Sequence, residues 1–227
     1  MIKNSILLLA IPLLVTFVAV ADDSNNQALE AKPSVFVGTA PGCAPFPPGS
    51  NIVTAAWLKG LGLPDDGTSN VTPSNPPNRD PHFGLLLSKN GSTADCSAAQ
   101  ATITGAKEEV VTELGFDYRN GGHCGAGAPR FNVTTNDNVT HFFGCAGGTP
   151  SPAPQDLAAW TRVRFTPAQG FPPITSGETI QSIGIVYDEG TDTGIGLAVL
   201  DNIDVNGKLI TRGPNDRGEN NDNGNNQ

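Results

Sequence analysis

The chain has 227 residues, among them 27 glycines and 19 prolines, and carries a formal net charge of −9 at pH 7. That density of turn formers excludes a fold built on long helices, and the acidic balance excludes an electrostatic grip on nucleic acid or on anionic membrane. The length suits one large β domain with a core of its own, not a small scaffold dependent on disulfides.

Residues 1–21 open with Lys3, continue in an apolar run from Ile6 to Ala21 and end in Ala19-Val20-Ala21 before Asp22 and Asp23. A positive start, an apolar middle and small residues at the end predict a signal peptide cleaved after Ala21, and hence a secreted protein. The run falls short of the roughly 20 apolar residues of a spanning helix, and no later segment reads as one, so no stable membrane span is expected. Cleavage leaves 206 residues and, with Lys3 gone, a net charge of −10. Residues 22–31 read as a flexible lead-in, 32–212 as the folded domain and 213–227 as an acidic, Asn-rich disordered tail with nothing to bury.

Within the domain, short apolar stretches alternate with turn clusters. Strands are expected at 34–38, 51–58, 83–88, 100–104, 110–118, 130–135, 140–145, 160–166, 179–187, 196–205 and 208–212. The segments 61–80 and 146–157 read as loops. Residues 106–114 have a helical alternative, but Val110-Val111 and the alternation of Leu114, Phe116 and Tyr118 favour strand. Phe131 and Val133 alternate with Asn132 and Thr134, as on a strand with one buried face. Thr161, Val163 and Phe165 point one way, and Trp160, Arg162 and Arg164 the other. Asn206-Gly207 predicts a two-residue hairpin turn, since both residues accept positive φ. The pattern is that of an all-β sandwich or barrel.

Cys43, Cys96, Cys124 and Cys145 make an even count in an exported chain, which reads as two disulfides. Three pairings are possible. Cys43–Cys96 with Cys124–Cys145 is favoured, because the second pair flanks one expected hairpin.

Three groups of residues could carry chemistry. Asp188, Glu189 and Asp192 crowd one loop, and Asp201 lies on a strand face with Leu197, Val199, Ile203 and Val205. Hard oxygens in a flexible loop suit calcium, though the spacing is not that of an EF-hand. The second group is the glycine-dense run from Gly121 to Arg130 around His123 and Cys124. No helix pattern follows it, which argues against a phosphate cradle. A zinc set of His123, Cys124, His141 and Cys145 competes there with a disulfide. The third is Trp160, Arg162 and Arg164, an aromatic and two guanidinium groups able to stack on a sugar and bond its hydroxyls. No catalytic residue is nominated: the acids are scattered, and neither a nucleophile elbow nor a zinc-protease motif occurs.

The run DEGTDTGIGLAVLDNIDVNGKLI at 188–210, with Trp160 to Phe165 before it, resembles the closing strands of galactose-binding-like jelly-roll modules in secreted bacterial proteins. The resemblance covers the second half of the chain. It implies a single-domain, jelly-roll-like β-sandwich, with a structural calcium and a saccharide-binding face as frequent features. The expected function is therefore a monomeric extracellular binding module for a glycan or another cell-surface component. The alternatives are a structural or adhesive exoprotein without a small ligand and, behind it, a glycoside hydrolase.

Overall fold

A computed structural model describes residues 29–37, 52–63 and 82–210. The strands there are β1 (Glu30–Val37), β2 (Ile52–Lys59), β3 (Phe83–Asn90), β4 (Ser97–Thr104), β5 (Leu114–Arg119) and β6 (Arg130–Thr135). They continue with β7 (Thr140–Gly144), β8 (Thr149–Ala153), β9 (Asp156–Phe165), β10 (Ile180–Tyr187), β11 (Leu197–Val205) and β12 (Lys208–Ile210). The only helical turns among the described residues are three-residue 3-10 turns. One sheet has the order β1-β4-β10-β6-β7; the other runs β2-β3-β11-β5-β9-β8, with β12 also on β11. All pairings are antiparallel.

The pairs β3–β4, β10–β11 and β5–β6 each straddle the two sheets. β10 lies between β4 and β6 in one layer, and β11 between β3 and β5 in the other. Two-strand ribbons wound side by side around a shared interior make this a jelly-roll-like β-sandwich.

Period-two alternation builds the interior. Phe131 and Val133 are buried while Asn132 and Thr134 are half-buried. Phe116 and Phe165 of the seven-stranded sheet meet Phe131 and Phe143 of the five-stranded sheet, with ring centroids 5.6–6.1 Å apart. Each buried ring contributes about 2–3 kcal/mol by leaving water. The turn at Asn206 (φ 56°) and Gly207 (φ 77°) joins β11 to β12 as the Asn-Gly pair predicts.

Four details differ from the sequence reading. β1 begins at Glu30, inside the expected lead-in, because Ala31 is buried and its carbonyl accepts from Trp57 Nε1 at 2.9 Å. Residues 110–113 are not in a strand; Val110 makes a single bridge to Thr179, and β5 starts at Leu114. β8 forms inside the expected loop 146–157. Finally, Asp201 does not share a face with Ile203 and Val205. A bulge between Asp201 and Asp204, with Asn202 at φ 45°, inserts one residue against β5. Ile203 and Val205 therefore join the central core, while Val199 belongs to a second, smaller apolar cluster with Leu63, Ala153 and Trp160. Residues 1–28, 38–51, 64–81 and 211–227, which include the expected signal peptide, the tail and Cys43, lie outside the described residues. Among the described residues no helix is long and apolar enough to cross a membrane.

Candidate functional site

The ends of β3, β5 and β10 and the starts of β4, β6 and β11 meet at one end of the sandwich. Their connections bring together two stretches that stood apart in the sequence, the glycine-dense 121–129 segment and the acidic 188–196 loop. Arg130 joins them: Nη1 and Nη2 donate to Asp188 Oδ1 and Oδ2 at 2.6 and 2.8 Å, and Nη1 also donates to the Gly127 carbonyl at 2.6 Å. A bidentate pair of this kind fixes orientation as well as charge. The Arg130 guanidinium also lies 5.7 Å from the Phe142 ring centroid. His123 Nε2 contacts Glu189 Oε2, and its ring meets Tyr187 edge-on at 5.8 Å. Burial, with Glu189 nearby, pushes the Tyr187 phenol upward, and its hydroxyl donates to the Ile195 carbonyl at 2.8 Å.

Glycine is required here for space. A Cβ on Gly127 would stand 2.4 Å from Glu189 Oε1, and one on Gly190 would stand 2.0 Å from the Gly91 carbonyl oxygen. The Gly190 backbone thus packs directly on the 91–93 backbone, and Gly127 leaves room for the Glu189 carboxylate. Cys124–Cys145 pins the same region, with Cα atoms 5.1 Å apart, as the favoured pairing required. Cys96 is also in a disulfide. Because Cys124 and Cys145 are joined, the zinc set is ruled out: two of its four ligands are consumed. Of its two remaining members, His123 contacts Glu189, and His141 is buried, with Nδ1 donating to the Pro172 carbonyl at 2.7 Å.

Beside these loops lies an open cleft of about 490 Å³. Phe36, 53% exposed, lines it together with Thr93, Ser97, Gly127, Asp188 and Glu189 among others. Lys89 underlies it, fully buried. Of these, Phe36, Thr93, Ser97 and Lys89 escaped the sequence reading. Lys89 alone had a signal, since it continues the buried alternation of Leu85 and Leu87.

The four expected calcium ligands do not converge. Asp188 is held by Arg130 and Glu189 by His123, while Asp192 Oδ1 accepts from Thr93 N at 3.0 Å and Thr93 Oγ1 at 2.6 Å. Asp201 lies four residues along β11 from Leu197, about 13 Å at strand rise, and its oxygens accept from Leu63 N and Asn202 N at 2.6 and 2.7 Å. Among the described residues no three His, Cys, Asp or Glu side chains gather as a metal site.

Trp160, Arg162 and Arg164 do share the outer face of the seven-stranded sheet, but each is engaged there. Trp160 is 4% exposed and packs with Leu63, Ala153 and Val199. Arg162 forks onto Asp117 at 2.9 and 3.0 Å, and Asn202 Nδ2 donates to the same carboxylate at 2.8 Å. Arg164 stands 3.5 Å from Asp204. Burial pushes the Asp204 carboxyl up, and the Arg164 charge only partly offsets it. Asp117 and Asp201 are opposite each other in register, but both are fully buried, so this pair of acids offers no surface to a glycoside.

Comparison with protein-family models, with curated proteins and with solved structures gives no match for this chain.

Proposed function

We propose that the protein is an extracellular binding module whose cleft between Phe36 and the 188–189 carboxylates takes a saccharide of the cell exterior. The observation that carries this reading is the composition of the cleft wall. The cleft is lined by an exposed aromatic ring, Phe36, and by two carboxylates already oriented by Arg130 and His123, with Thr93 beside them. A sugar offers an apolar ring face and a rim of hydroxyls, which is the complement of such a wall. The resemblance of 188–210 to galactose-binding-like modules points the same way. The outer-face set Trp160, Arg162 and Arg164 is the weaker candidate, since its ring, Trp160, is 4% exposed against 53% for Phe36.

A glycan array followed by calorimetry on the purified protein, with and without calcium, tests the proposal. Phe36→Ala and Glu189→Gln should each weaken binding about tenfold or more. A blank array, or equal affinity in both variants, overturns it. Retention on cells that no saccharide competes away would instead favour the adhesive alternative, which the exposed side chains of Val35, Phe36 and Val37 on edge strand β1 would serve.

A further inference from the structure

Lys89 is the penultimate residue of β3, and it is fully buried. Its Nζ donates to the carbonyls of Thr93, Ser97 and Asp188 at 3.0, 2.9 and 2.8 Å, and pairs with Asp95 Oδ1 at 2.8 Å. An ammonium has three N–H donors and no acceptor, so the four oxygens share its three donors, and the carboxylate supplies the counter-charge. Ser97 N and Oγ in turn donate to Asp95 Oδ1 at 2.9 and 2.6 Å, which fixes that oxygen. Asp95 Oδ2 is buried without a hydrogen-bond partner among the described residues.

Three main-chain carbonyls and one carboxylate, drawn from the 93–97 segment and from Asp188, thus converge on a single positive charge. All-oxygen sets rich in backbone carbonyls hold hard cations. This one does not fit calcium. Its oxygens stand 2.8–3.0 Å from the charged nitrogen, whereas calcium–oxygen contacts are about 2.3–2.6 Å. One carboxylate also balances one charge, not two.

We infer that this cage is a monovalent-cation site whose resident ion is the chain's own Lys89 ammonium, joining the 91–97 and 188–196 segments where the sequence suggests a metal. The cleft wall then forms without a divalent ion. The inference does not rest on the saccharide reading, and its test reads stability, not binding.

Thermal unfolding of the purified protein and two variants provides that test. The wild-type midpoint should be the same in calcium and in EDTA, and its intact mass should show no loss of water. Lys89→Met keeps the stem and removes the charge; its midpoint should fall by about 10 °C and respond to no cation. Lys89→Ala leaves the oxygens around an empty stem channel. Its midpoint should also fall, then recover several degrees in ethylammonium chloride relative to sodium chloride of equal ionic strength, with calcium giving no such recovery. A wild-type midpoint that rises in calcium or drops in EDTA overturns the inference. So does Lys89→Met with wild-type stability, or Lys89→Ala indifferent to ethylammonium. A mass short by one water also overturns it, since Lys89 and Asp95 would then have condensed to an amide. Should neither variant fold, the two wild-type measurements still decide.

Discussion

At Asp95, burial pushes the carboxyl pKa up, yet the hydrogen bonds from Lys89 and Ser97 win and hold it below the ordinary carboxylate range. The unfolded chain therefore takes the proton first as pH falls. The stabilisation is full above about pH 4, the unfolded value, and is lost as pH drops through the lower folded value. Asp95→Asn should cost about 3 kcal/mol at neutral pH, because it strands a buried ammonium, and should flatten the acid limb of stability. Urea unfolding at pH 7 and pH 3 measures both effects. Gly190 is constrained differently: the atoms its Cβ would meet at 2.0–2.8 Å are all backbone. Gly190→Ala should cost about 3 kcal/mol, read as a lower urea midpoint. Single residues were legible where chemistry advertised itself, as at Cys124, whose pairing with Cys145 was expected. Lys89 was hidden because a lysine near a strand end normally reads as solvated, although its place in the Leu85–Leu87 alternation marked the buried side.

Among the elements, the β11–β12 turn does more than reverse the chain. Asn206 Oδ1 accepts from Thr112 N at 2.8 Å and Thr112 Oγ1 at 3.0 Å, and Nδ2 donates to Glu109 Oε2 and the Val110 carbonyl at 3.0 and 2.9 Å. The turn thereby holds the irregular segment before β5. Asn206→Ala loses these bonds and places alanine at positive φ, so it should destabilise by about 2 kcal/mol. Hydrogen exchange should show the Thr112 amide losing protection first. Cys124–Cys145 closes a separation of 21 residues. Replacing both with serine should cost about 3 kcal/mol in chemical unfolding. Alternation revealed 130–135 and 160–165 because those strands keep one phase throughout. It failed on β11, where the extra residue after Asp201 shifts the phase by one, and on β8, where Pro150 and Pro152 imitate a loop.

On the scale of the whole molecule, the two layers share one aromatic interior. Phe165 lies within 5.9–6.1 Å of Phe116, Phe131 and Phe143, contributed by both sheets. Phe165→Ala should therefore remove about 4 kcal/mol, with fluorescence and far-UV dichroism still changing together in a single transition. Composition and turn spacing sufficed for the sandwich. The cleft was not legible as a unit, because its wall comes from segments around 36, 93–97, 127 and 188–189 that only the winding of the ribbons brings together.

Strand β8 forms one flank of the seven-stranded sheet, and it carries proline at 150 and 152. A proline has no N–H to extend a ladder, and in an edge strand its nitrogen faces away from the partner. The rim of the sheet thus lacks the amides that a stray strand would need to zip alongside. Among the described residues, copies of this protein therefore meet there a border poor in free N–H groups, a weak template for cross-β stacking.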